Sequence, residues 1–356
     1  MKWLHSCLLI IVSLGVTGCS AMEYYWQAIN GHTDILNREP PIRELLAKPD
    51  LEPELRIVLE EMQRARDFAS VELGLPENNS YREYADIGRD YVIWNVIATE
   101  EFSVDPQTWC FPFAGCVNYR GFFTKSDAED FAKQLSSEGK DVYVAGARAY
   151  STLGWFDDPL LNTMLYRDEA MRVAVLFHEL AHQKLYVQDD TAFNEAFATA
   201  VAQEGVRRWF LHNGNISASE LYLESEQRRA EFNTLLKNTR TKLHELYQQS
   251  HDPASMRKEK QTVFLQLKND YAKLKQNWDS DNRYDVWMGQ SLNNAHLALA
   301  ATYHELVPAF KAYLREAKAD LPRFYRQMEQ LARLPKDERH QHLVVMVNKQ
   351  NISQLP

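Results

Sequence analysis

"VLFHELAHQKLY", residues 175–186, sets two histidines and a glutamate inside an apolar run. His178, Glu179 and His182 spell His-Glu-x-x-His. On a helix, positions i and i+4 project from one face, so both imidazoles can reach one ion at about 2 Å. Glu179 then falls beside a water held by that ion, where its carboxylate can take a proton and pass it to a leaving amine. The spacing has a mechanical reason, and the ligand types favour zinc. A structural polar cluster is the plainer alternative. Against it, "AMRVAVLFHELAH" makes a helix apolar enough to be buried, and buried His and Glu need partners or a metal.

A third protein ligand is needed, and "TAFNEAFATAVAQEG", residues 191–205, offers two glutamates. Glu204 lies half a helical rotation from Glu195, so both cannot face one ion. Glu195 has the shorter return path across the turn "VQDD" and is the expected ligand. Asp189 and Asp190 in that turn are the alternatives.

Working outward, the expected class is α+β, with a small β-sheet preceding a mainly helical body. "YVIWNVIATEEFS" is β-branched and aromatic and reads as a strand, with "CVNYRGFF" as its hairpin neighbour. "KSDAEDFAKQLSSEGK" is an amphipathic helix ending near Gly139. "DVYVAGARAYSTLGWFDDP" is a second strand, closed by Asp158-Pro159. A long helix is expected from about Leu161 to Tyr186 and another from about Thr191 to Leu211. Upstream, Leu55, Val58, Leu59 and Met62 recur at helical spacing. Residues 217–278 are charged and broken by Asp252-Pro253, which reads as a protruding helical hairpin with a solvated face. "SLNNAHLALAATYHELVPAFKAYLREA" reads as one helix of about 25 residues, broken or bent at Pro308.

The chain has 356 residues, 45% hydrophobic and 25% charged, which is enough for a real core and excludes a disordered chain. Its formal net charge of −9 leaves no basic surplus for phosphates, so no nucleic-acid partner is expected. The first 18 residues read as a signal peptide, with the mature body at 19–356. "VTGC", ending at Cys19, resembles a bacterial lipobox. The expectation is lipidation of Cys19 and a lipid anchor in the cell envelope, with Ser20 favouring the outer membrane facing the periplasm. In that oxidising compartment Cys110 and Cys116 can close a disulfide.

"WCFPFAGCVNYRGFF", "AYSTLGWFDDPLLNTML", "LFHELAHQKLYV", "FNEAFATAVAQEG" and "LNNAHLALAATYHELVPAF" together resemble a bacterial family labelled zinc aminopeptidase. The resemblance covers roughly residues 19 to 340. It implies a gluzincin-like metallopeptidase of zincin-like fold acting on peptides, with zinc on His178, His182 and Glu195. Asn-Glu-x-x-Ala around Glu195 is similar to the downstream motif of zinc peptidases with two His and one Glu. The thermolysin family carries an acid four residues beyond that Glu; here the position is Thr199, which leaves the partner of one ligand histidine open.

A tetrahedral oxyanion also needs a donor. Asn293, His296, Ala300 and Tyr303 share one helical stripe, and Tyr303 is the first candidate, then His296, with Tyr119 and Tyr150 behind. An aminopeptidase needs an acid for the substrate's amino end; Asp157, Asp158 and Glu169 are options, although Asp158 before proline reads as a turn residue. The rival expectation is a non-catalytic zinc-binding envelope lipoprotein that binds a partner through the hairpin.

Overall fold

The computed structural model describes residues 40–111, 115–149, 151–152, 156–165, 168–278 and 281–353, together with 31, 33 and 35; at 303, 304 and 348–353 only the backbone is described. The expected signal peptide, Cys19 and Tyr150 lie outside these residues. Helices α1 (Ile42–Leu46) and α2 (Pro53–Val71) open the described chain. Strands β1 (Tyr84–Ala85), β2 (Ile93–Thr99), β3 (Trp109–Phe111), β4 (Gly115–Val117) and β5 (Arg120–Phe122) follow, then α3 (Lys125–Ser137), β6 (Asp141–Ala147) and β7 (Leu160–Leu161). The rest is helical: α4 (Glu169–Lys184), α5 (Thr191–His212), α6 (Ile216–Tyr247), α7 (Pro253–Lys275), α8 (Asp285–Met288), α9 (Asn294–His304), α10 (Val307–Glu316), α11 (Leu321–Ala332) and α12 (Lys336–Ser353). The class is α+β, as expected.

The main sheet has the order β5-β2-β6, antiparallel throughout, with Val96 opposite both Arg120 and Val144. Side chains alternate across it with a period of two. Val96 and Ala98 pack on Ala128 and Leu135 of α3. Ile97 and Tyr143 turn the other way, to Ala295 and Ala298 of α9. Ile93 and Asn95 share that second face and line a cleft. "CVNYRGFF" divides its pairing. Gly115–Val117 pairs with Trp109–Phe111, and only Arg120–Phe122 joins β2. A disulfide joins Cys110 to Cys116 across the β3–β4 pair.

The helix expected from Leu161 begins later. Leu160 and Leu161 pair with Tyr84 and Ala85, a 3₁₀ turn spans Asn162–Met164, and the α-helix starts at Glu169. Asp168 sets that start, because its Oδ1 accepts from the Met171 N–H at 3.0 Å. The helix expected to break or bend at Pro308 is broken into two, slightly earlier than expected. The break falls at residues 305–306, and Pro308 occupies the first turn of α10, where its missing N–H costs nothing.

One large core joins α2, α4, α5, α10 and α11. Leu176, Phe177 and Leu180 of α4 are fully buried against Phe193 and Phe197 of α5. Each such side chain contributes about 1.5–3 kcal/mol by leaving water. Gly205 of α5 is part of this fit, since a Cβ there would come within 2.7 Å of the Phe177 ring and 2.8 Å of Leu73. The hairpin α6–α7 has its own cluster, with Phe232, Leu236, Leu243, Phe264, Leu267 and Tyr271. It lies along the body, where α6 packs on α5 and α9. Among the described residues no helix is long and apolar enough to cross a membrane.

Candidate metal centre and cleft

α4 carries His178, Glu179 and His182 because its apolar residues fall at 173, 176, 177, 180 and 181, which buries one stripe and leaves the histidines at its edge. The helix ends at Lys184, and Leu185 is extended. The return to α5 is locked by Asn194. Its Oδ1 accepts from the Val187 N–H at 2.8 Å and its amide donates to the Val187 carbonyl at 2.7 Å. Glu195 follows at once and is thereby aimed back at α4.

Three ligand atoms converge. His182 Nε2 stands 3.1 Å from His178 Nε2. Glu195 Oε2 stands 3.2 Å from His178 Nε2 and 3.6 Å from His182 Nε2. Ligands about 2 Å from a tetrahedral ion stand about 3.3 Å apart, so this set fits one ion with a fourth position left over. Among the described residues it is the one cluster of three or more His, Cys, Asp or Glu placed to hold a metal. His182 Nδ1 is buried and no described protein group pairs with it. This matches the absence of an acid at Thr199, which lines the cleft.

The other candidates are occupied. Glu204 pairs with Arg207 and Arg208 at 2.8 and 2.7 Å. Asp190 caps α5 and pairs, fully buried, with Arg339 at 2.8 Å and His340 at 2.9 Å. Burial would push the Asp190 carboxyl up, but those two partners hold it below its ordinary 3.8. Asp189 adopts a left-handed φ of 63°, which Asp tolerates in a turn. Its Oδ1 accepts from the Cys116 N–H at 2.6 Å, tying β4 to the turn. A Cβ at Gly115 would stand 2.5 Å from that oxygen, and Gly115 has φ 73°, so both space and backbone require glycine there.

Glu179 is buried and lines the same cleft. Burial pushes its carboxyl up to about 7; His178 opposes the rise, while Glu195 and Asp158 add to it. Burial also pushes the Glu195 carboxyl up, but His182 and His178 outweigh it and hold Glu195 well below the usual range. Asp158 is the buried turn residue expected. It accepts from the Thr152 N–H and the Ser151 hydroxyl, each at 3.0 Å. Asp157 accepts from the Asn79 amide at 3.3 Å, and Glu169 from the Trp209 indole at 2.8 Å. None of these three acids lines the cleft.

The shared stripe of Asn293, His296, Ala300 and Tyr303 has a local cause in its first half. Asn293 and His296 form the capping box of α9. His296 Nδ1 lies 2.8 Å from Asn293 Oδ1, Nε2 lies 3.2 Å from Gln290 Oε1, and the ring stacks on Tyr143 at 3.9 Å. Burial lowers its pKa to about 4, so it is neutral near pH 7. Tyr303 lies on α9, with its side chain outside the description. Tyr119 lines the cleft.

The cleft holds about 920 Å³ between the sheet face, α4, α5, α6 and α9. The profile of the putative aminopeptidase family matches residues 23–343. The chain belongs to that family. No curated protein and no solved structure matches it. Sequence reasoning missed that the hairpin supplies Arg229, Phe232, Asn233 and Leu236 to the wall of this family member's cleft. They sit in a helix whose surrounding sequence is highly charged, which usually means a wet face.

Proposed function

We propose that the protein is a zinc-dependent peptidase of the aminopeptidase family, with the ion held by His178, His182 and Glu195. The observation that carries this reading is the convergence of three ligand atoms, 3.1 to 3.6 Å apart, on one wall of a peptide-sized cleft beside a buried carboxyl. A bound zinc ion would supply a Lewis acid that polarises the scissile carbonyl and makes water acidic. Glu179 takes the proton of the attacking water on its carboxylate and returns it to the leaving amine. The buried face of α4 holds both histidines in register, and the Asn194 clamp holds Glu195 opposite them. Tyr303 is the proposed donor to the developing oxyanion, because His296, Leu299 and Ala300 of the same helix line the cleft. The lipobox-like "VTGC" supports export and anchoring at Cys19.

The test is metal content together with hydrolysis of free and N-blocked peptides, wild type beside Glu179→Gln. One equivalent of zinc in both proteins is expected, with kcat lower in the variant by about 10³-fold. Undiminished hydrolysis in Glu179→Gln would remove Glu179 from the chemistry. Zinc without hydrolysis of any peptide would favour a partner-binding lipoprotein instead. Tyr303→Phe should lower kcat with little change in KM; unchanged turnover would remove Tyr303.

A further inference from the structure

The floor of the cleft is the face of α4 from Met171 through Ala174, Val175 and His178 to His182. The metal centre occupies one end of this floor. α6 closes the other. There the Arg229 guanidinium donates toward Met171 Sδ at 4.0 Å and pairs with Glu226 Oε1 at 3.1 Å. Lys311 of α10 stands 3.8 Å from the second oxygen of Glu226. Two cations therefore share one buried carboxylate, and one positive charge is left over. Glu226 and Lys311 do not line the cleft; Arg229 does.

The polarity of the whole cleft points the same way. Among its described lining residues Arg229 is the sole Lys or Arg, and the only carboxylates are Glu179 and Glu195 at the metal centre. Tyr222, Phe232, Tyr284 and Trp287 surround that end and lower the local dielectric. A surplus charge behind apolar walls attracts an anion more strongly than the same charge in water. The planar fork of a guanidinium also matches a carboxylate in shape.

We propose that Arg229 is a specificity-determining residue that receives a carboxylate of the peptide. This rests on the peptidase reading above. Met171 and His178 are seven residues apart on one face of α4, about 10 Å along its axis. An extended chain advances about 3.3 Å per residue. The carboxylate therefore sits about three residues from the scissile bond. It is either the C-terminus of a short peptide or an Asp or Glu side chain at that place in a longer one. No described carboxylate lines the cleft at this end to receive a substrate ammonium.

Matched peptides test this. One series ends in a free acid three residues past the cleavage point, one in an amide, and one in an amide with Asp at the third residue. KM and kcat are measured with the zinc-loaded wild type, Arg229→Gln and Arg229→Lys. Binding of the same peptides to zinc-loaded Glu179→Gln is measured by calorimetry. A free acid or an Asp should lower KM about ten- to a hundredfold relative to the plain amide, with a smaller change in kcat. The preference should collapse toward unity in Arg229→Gln and survive in part in Arg229→Lys. Which series gains tells the terminus from the side chain. Equal KM for all three series in the wild type would overturn the proposal while leaving the peptidase standing, as would a preference that persists in Arg229→Gln. If no peptide is cleaved, the peptidase reading fails, and the calorimetric preference then decides the role of Arg229 alone. The wild-type comparison needs no variant to fold.

Discussion

Two antiparallel helix pairs meet at the cleft, α4 with α5 and α6 with α7, and different forces hold them. In the first pair Leu176, Phe177, Leu180, Phe193 and Phe197 are all fully buried, and the pair is fastened at its turn by the Asn194 clamp and the Asp190–Arg339 pair. In the second, much of the surface is wet. The hairpin reaches the rest of the chain through apolar contacts with Val104 and Leu297 and through polar tethers, among them Arg257 to Glu101 at 2.6 Å and Lys260 to Asp141 at 2.6 Å. A metal centre needs ligands held to a fraction of an ångström, which dense packing supplies. A substrate wall needs contour and charge, which a half-wet helix can carry. The difference teaches that rigidity is concentrated where His178, His182 and Glu195 converge.

The strongest way to break that contrast is Arg339→Met. Arg339 and Asp190 are both buried, so the change leaves the carboxylate with the Phe193 N–H and with His340 as its one cationic partner. Removing one partner of a buried pair costs about 3–5 kcal/mol, and urea unfolding should show a loss near the lower end because His340 remains. A change under about 1 kcal/mol would mean that the turn does not depend on this pair.

Acid should act on the same place. The Asp190 carboxyl is depressed when folded, so its contribution is fully present above the unfolded value of 3.8 and is lost as pH falls through the lower folded value. The wild type should therefore lose stability below about pH 4 partly through Asp190, and Asp190→Asn should flatten that limb. A limb unchanged in Asp190→Asn would assign the acid loss elsewhere.

Gly205→Ala probes packing in the first pair. The added Cβ would press on Phe177, the neighbour of His178, and overpacking costs about 1–3 kcal/mol. Zinc affinity should fall with stability, because the strain sits one residue from a ligand. A stable variant with unchanged zinc binding would show that the ring can move aside.

The smallest effect is expected in the second pair. Arg257 and Glu101 are both substantially exposed, so Arg257→Ala should leave the unfolding midpoint unchanged within error in the same assay. A clear drop in the midpoint there would erase the contrast between the two helix pairs.

The legibility of the chain follows from how local each signal is. His178, Glu179 and His182 were readable because one helix sets their geometry. Glu195 was readable because a short turn limits where the chain can return. Strands 93–99 and 141–147 and helix 125–137 announced themselves through period and caps. The start of α4 was misplaced by eight residues, from Leu161 to Glu169. Leu160 and Leu161 are as apolar as the helix, and only pairing with Tyr84 and Ala85 makes them a strand. Asn293 and His296 looked like members of a catalytic stripe, but they cap their own helix.

Taken by itself, the sequence determined the class and the three residues that converge, His178, His182 and Glu195, because helix periodicity and a short turn act over a few residues. Tertiary structure alone decided that Asp190 was already spent on Arg339 and His340. It also decided that Arg229 faces a cleft and not water. Charge balance and access depend on which distant segments come together, and no local pattern records that.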